Sequence, residues 1–69
     1  MYKLIKSPFS GQIDSVQRLS DNAFIPFDPA NTDYQTFKAQ INADEAQLED
    51  ADGNLMTPEE AKAYVATLP

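Results

Sequence analysis

The segment IPFDPANTDYQTF, residues 25–37, connects the two halves of the chain and decides how they pack. Pro26 cannot donate a backbone hydrogen bond to a neighbouring strand, so its strand is predicted to lie at a sheet edge or to end early. The dipeptide Asp-Pro at 28–29 predicts a turn. Asn31 or Thr32 is then a favourable N-cap for a helix. The segment therefore predicts a joint from an edge strand into a helix.

The helix after this joint is predicted to cover about residues 31–43. Tyr34, Phe37 and Ile41 recur at spacings that place them on one helical stripe. The favoured interpretation is that these side chains pack the helix across the preceding strands. An exposed aromatic patch for a partner protein is the alternative.

Three strands are predicted before the joint, at about residues 2–6, 12–19 and 23–27. Apolar and polar side chains alternate in the first two, which is typical of half-buried strands. The sequence SPFSG between them is a turn punctuated by proline and glycine.

The second and third strands are predicted to form a hairpin. The dipeptide Asp-Asn at 21–22 suits a two-residue turn, since asparagine tolerates a positive φ. That turn sets a register with Leu19 opposite Phe24 and Val16 opposite Phe27.

Residues 46–57 have two interpretations. The favoured one is a second hairpin, with Leu48 opposite Met56 across an Ala-Asp-Gly turn. The alternative is a degenerate EF-hand-like calcium loop with Gly53 at its sixth position. Its ligands would be Asp50, Asp52, Asn54 and Glu59. Its first position would be Leu48, which has no oxygen to offer a cation.

A second helix is predicted at about residues 58–67. Thr57 is its N-cap, Pro58 occupies the first helical position and Glu60 completes a capping box. One apolar stripe follows, formed by Ala61, Tyr64, Val65 and Leu68. Because so short a helix is unstable alone, we expect it to dock on the sheet or on a partner.

Together these elements predict one α+β domain over residues 1–69, a small antiparallel sheet of three to five short strands with two helices packed on one face. The expected interaction surfaces are the strand edge near Pro26 and the outer side of the last helix. Candidate interaction residues are Phe24, Pro26, Tyr34, Phe37 and Tyr64.

The composition argues against catalysis. The chain contains no histidine and no cysteine, so it lacks the usual general base and the strongest metal ligands. We therefore expect no enzyme, no cofactor and, apart from the calcium alternative, no metal. No apolar run reaches the length of a signal peptide or a membrane span, so we expect a soluble protein that does not bind membranes.

The charge is unevenly distributed. The net charge is −6. Residues 1–27 carry three basic and two acidic side chains, whereas residues 28–69 carry nine acids against Lys38 and Lys62. Nucleic-acid binding needs clustered basic residues, so no nucleic-acid partner is expected. The acidic half indicates a solvated face; DNA mimicry is the alternative.

The sequence VQRLSDNAFIPFDPANTDYQTF, residues 16–37, resembles a recurrent signature of small proteins from tailed bacteriophages and prophages. The matching parts are RLSD at 18–21, IPFDPAN at 25–31 and DYQ at 33–35. MYKLIK at the start and DADGNLMTPEEAKAYVATLP at 50–69 are also similar to some members. Many other members instead continue after the helix with a tryptophan and an EGNTP tail.

The resemblance implies a tail-associated or tail-assembly-chaperone-like protein, located in the host cytoplasm or the virion. Its implied partners are other phage structural proteins, and self-association is a further expectation because so small a core is marginal. An early phage protein that binds a host protein is the alternative. The resemblance implies no catalytic residues.

Overall fold

The computed structural model describes all 69 residues. The chain folds into a four-stranded sheet and two helices. In chain order the elements are β1 (Tyr2–Lys6), β2 (Ile13–Arg18), β3 (Ala23–Pro26), α1 (Thr32–Asn42), β4 (Leu48–Glu49) and α2 (Pro58–Val65). The α+β class and the two helices are thereby confirmed.

The strands lie in the order β3-β2-β1-β4. β2 pairs antiparallel with both β1 and β3, but β4 runs parallel to β1. The sheet is therefore mixed, whereas we expected it to be antiparallel. The chain crosses the sheet through α1 before it returns as β4, which lets β4 run in the same direction as β1. The Tyr2 amide donates to the Gln47 carbonyl at 2.9 Å in this pairing.

The register predicted for the β2–β3 hairpin is wrong by two residues. Val16 lies opposite Ile25 and not opposite Phe27, and Gln17, in place of Leu19, lies opposite Phe24. The connection has four residues, 19–22, and the Leu19 amide donates to the Met1 carbonyl at 2.9 Å. Asn22 does adopt the predicted positive φ, at 59°.

The core lies between one face of the sheet and the two helices. Alternate strand residues point inward, and the buried set is Tyr2, Leu4, Val16, Ile25, Tyr34, Phe37, Ile41, Leu48, Ala61 and Val65. No polar or charged side chain is buried. Both helices therefore pack on one face, as predicted, and the opposite face of the sheet remains open to solvent.

Side chains fix both helix starts. The Asn31 Oδ1 accepts from the Tyr34 amide at 3.0 Å. The Glu60 amide donates to the Thr57 hydroxyl at 3.1 Å, and the Thr57 amide donates to the Glu60 carboxylate at 3.0 Å. This reciprocal pair is the predicted capping box, with Pro58 at the first helical position.

Residues 46–57 form the predicted hairpin in a minimal version. Glu49 bridges antiparallel to Leu55, and the Met56 amide donates to the Leu48 carbonyl at 2.9 Å. Asp50 closes the turn, since its Oδ1 accepts from the amides of residues 52 and 54 at 2.9 Å each. These backbone bonds hold the pKa of Asp50 below its ordinary value.

Candidate interaction surface

Two of the predicted interaction residues belong to the core. Tyr34 and Phe37 are completely buried, so assigning them to a contact surface was wrong and the core interpretation is confirmed. The Phe37 ring lies edge-on to Tyr2, with centroids 4.9 Å apart, and 6.3 Å from Tyr34. Burial raises the pKa of Tyr34, whose hydroxyl donates to the Pro69 oxygen at 3.0 Å.

Tyr64 is neither fully buried in the core nor exposed on the surface. It is half-buried and packs against the core from α2. Burial raises the pKa of its hydroxyl. Ala63, next to it, is exposed and represents the outer side of α2, which was the second predicted surface.

Phe24 and Pro26 are exposed at the free edge of the sheet. Phe24 is 66% exposed, on the face opposite the core. Side chains in register with it form a row across the sheet, through Gln17 and Lys3 to Glu49. We call this solvent-facing side of the sheet the outer face; it comprises Lys3, Ile5, Ser15, Gln17, Phe24, Pro26 and Glu49. It carries one basic and one acidic side chain.

The backbone of β3 adds unpaired hydrogen-bonding groups to this surface. Hydrogen-bonded pairs alternate along an antiparallel ladder, and the bond from Leu19 to Met1 sets the alternation in β2. It follows that Ala23 and Ile25 direct their backbone groups to β2, whereas Phe24 directs its N–H and C=O outward. Pro26 offers only a carbonyl. The edge can therefore pair with a short extended segment centred on Phe24.

The charged groups beside this edge are already paired. The Arg18 guanidinium binds the Asp21 carboxylate at 2.8 Å and the Asp33 carboxylate at 3.2 Å, which ties the hairpin loop to α1. The bond to Arg18, with a further bond from the Ala23 amide, lowers the pKa of Asp21 to about 2. These side chains hold the loop in place, which leaves Phe24 as the prominent group of the edge.

A second exposed aromatic side chain was not among the predicted interaction residues. Phe9, in the loop between β1 and β2, is 99% exposed. The loop is ordered by its own bonds: the Gly11 amide donates to the Ser7 carbonyl at 2.9 Å, and the Phe9 amide to the Ser7 hydroxyl at 3.3 Å. The only signal in the sequence was a large aromatic residue placed within a polar turn.

A groove is the third surface feature. It encloses about 590 Å³ between the end of α1, the β4 hairpin and the start of α2. Buried Ile41, Leu48 and Ala61 contribute to its lining, together with half-buried Met56 and with Leu55, which is 56% exposed. No local pattern could indicate it, because its walls come from three separate elements.

The candidate calcium ligands do not form a metal centre. Leu48, the first position of the candidate calcium loop, is buried in β4, which pairs with β1. A calcium loop of this type instead follows a helix. The Asp50 carboxylate already accepts two backbone amides of the turn. No three carboxylates lie close enough together to hold a metal ion.

Comparison with protein-family models, with curated proteins and with solved structures finds no match to this chain. No helix of the structure combines the length and the apolar character required to cross a membrane. The resemblance to phage proteins thus remains a prediction from the sequence. Any assignment of a function depends on the surface features of the structure.

Proposed function

We propose that this chain is a non-enzymatic phage protein that acts by protein–protein contact, as a tail- or virion-associated structural protein or as an assembly factor. The phage assignment is supported by the signature at residues 16–37. The contact assignment is supported above all by one observation, the exposed Phe24 beside an unpaired backbone edge.

The chemistry of the edge favours a protein as the ligand. An extended segment can hydrogen-bond to the outward N–H and C=O of Phe24 and cover its ring, which is the usual mode of strand addition. Pro26 limits the pairing to a few residues, since it has no N–H to donate. Such a short edge selects a specific partner segment and resists indefinite strand-on-strand growth.

The charges on the sheet agree with this assignment. The outer face combines an exposed aromatic ring with neutral polar side chains, and its Lys3 and Glu49 are opposite in sign and in register. Interface cores are enriched in aromatic residues and depleted of charge. Most of the acidic side chains of this protein belong instead to the second half of the chain.

Quantitative mass spectrometry of phage particles and of their assembly intermediates tests the proposal. A structural protein is expected in purified particles at a fixed copy number relative to a tail protein. An assembly factor is expected in the intermediates and absent from finished particles. If the chain is absent from both while abundant in the producing cells, the proposal is wrong.

Matched variants connect that result to the surface. Phe24→Ser removes the exposed ring, and Ala63→Ser changes an exposed site on the outer side of α2. We expect the Phe24 variant to lose incorporation and the Ala63 variant to keep it. The reverse result would place the contact on α2.

A further inference from the structure

The groove beside β4 has the properties of a docking site for an apolar side chain. Its volume of about 590 Å³ lies in the range of pockets that bind compact ligands. Apolar atoms of Leu55 and Met56 remain exposed at it, and Ile41, Leu48 and Ala61 lie against its lining.

The rim of this groove is acidic. Asp44 and Glu45 follow the end of α1 and line the opening. Lys62 neutralises Asp44 through a bond of 2.8 Å, whereas Glu45 has no cationic partner. An occupant that fits this site therefore combines an apolar group with a positive charge.

The loop between β1 and β2 of the same protein has that combination. Phe9 stands at its exposed tip, and Lys6 precedes the loop, exposed and without an acidic partner. Since the loop is closed by backbone hydrogen bonds, it presents the ring from an ordered backbone. We call residues 7–12 the aromatic loop.

The aromatic loop does not occupy the groove of its own copy, since Phe9 is 99% exposed and is not among the residues that line the groove. The loop leaves β1 after Lys6, whereas β4 and the groove adjoin the start of that strand at Tyr2 and Lys3. Four residues of strand, about 13 Å, separate the two positions. The complementary features thus lie apart on one molecule.

We propose that the aromatic loop of one copy docks in the groove of a second copy, with Phe9 on the apolar floor and the preceding Lys6 beside Glu45. The charges favour this head-to-tail arrangement, because it brings the first half of one chain, which has a small positive net charge, against the strongly acidic second half of the next. The contact uses surfaces other than the β3 edge and goes beyond the function proposed above.

The symmetry of the assembly follows from the contact. A loop-to-groove interface is heterologous, since each copy contributes a different surface to each of its two neighbours. Copies joined in this way form a closed ring if the rotation between them closes, and an open chain otherwise. Neither of the two contact surfaces includes Phe24.

Light scattering coupled to size-exclusion chromatography tests the inference on the full chain. One variant is made for each side of the contact. Phe9→Ser disables the aromatic loop, and the double variant Leu55→Lys with Glu45→Lys disables the groove. We expect the mass of the wild-type protein to rise with concentration and each variant to stay monomeric. Removing the Phe9 ring, which docking would bury, should weaken association by about tenfold to a hundredfold.

Mixing the two variants is the decisive step. The groove variant still has its aromatic loop and the loop variant still has its groove, so an equimolar mixture should form a one-to-one dimer that grows no further. A two-fold symmetric contact between two aromatic loops, or between two grooves, predicts no such rescue. Phe24→Ser is the matched control and should assemble like the wild type.

A charge exchange provides an independent check if the groove variant is unfolded in thermal melting. Lys6→Glu should weaken association, and adding Glu45→Lys in the same chain should restore it. A wild-type protein that stays monomeric up to about 1 mM, the weak end of measurable affinity, would overturn the inference. So would a variant mixture that stays monomeric, or assembly lost with Phe24→Ser and kept with Phe9→Ser. None of these results would remove the contact proposed at β3.

Discussion

Replacing Phe37 by alanine should remove a large part of the stability of this protein. The Phe37 side chain is completely buried, and its ring lies against Tyr2 at 4.9 Å and beside Tyr34 at 6.3 Å. Truncating a buried phenylalanine costs about 3 to 5 kcal/mol, through lost burial and the cavity left behind. Both neighbouring rings belong to the same core and would lose an aromatic contact.

The size of the chain makes this loss decisive. A domain of 69 residues has a free energy of unfolding of about 3 to 10 kcal/mol. The expected cost of Phe37→Ala is therefore a large share of the total, or all of it. Phe37→Leu keeps an apolar group in the site and should cost less than the alanine variant.

Urea unfolding followed by far-ultraviolet circular dichroism measures the change. Phe24→Ala is the matched control, since Phe24 is 66% exposed; we expect its free energy of unfolding to stay within about 0.5 kcal/mol of the wild type. A Phe37→Ala protein as stable as the wild type would refute the assignment of the ring to the core. An equal loss in both variants would refute the distinction between buried and exposed aromatic residues.

Three further predictions concern the N-cap of α2, the ion pair of Asp21 with Arg18, and the turn closed by Asp50. Thr57→Ala removes a cap and breaks the reciprocal pair with Glu60, and should lower the free energy of unfolding by about 1 kcal/mol in urea titrations. The pKa of Asp21 is about 2 because Arg18 binds it, below the usual value of about 3.9 in unfolded chains. Its contribution to stability is therefore present above about pH 4 and is lost as the pH falls towards 2; Asp21→Asn should flatten that part of a pH–stability profile, and an unchanged profile would contradict the ion pair. Calcium at millimolar concentration should not shift the melting temperature, because Asp50 is engaged by its own turn; a shift abolished by Asp50→Asn would restore the calcium alternative.

The sequence predicted most reliably what short-range chemistry determines. The capping box of Thr57 and Glu60 is recognisable from four consecutive residues, and it forms as expected. The stripe of Tyr34, Phe37 and Ile41 predicted the buried side of α1 for the same reason. In both cases the interacting groups lie within two helical turns of one another.

Longer-range features were beyond such reasoning. β4 has two residues and pairs with a strand more than forty positions earlier, so no local pattern could indicate that it runs parallel to β1. The predicted β2–β3 register was wrong because the connection has four residues, 19–22, in place of two. The groove depends on three separate elements, and its complement Phe9 attracts notice only once its exposure is known.

The most direct test of the central claim, that this chain acts by protein contact through the Phe24 edge, is affinity capture from phage-producing cells with quantitative identification of the bound proteins. Wild-type and Ala63→Ser baits are predicted to retain one phage structural protein in stoichiometric amount, and the Phe24→Ser bait to lose it. Capture of a single host protein instead, equal capture by all three baits, or capture of no protein would contradict the account.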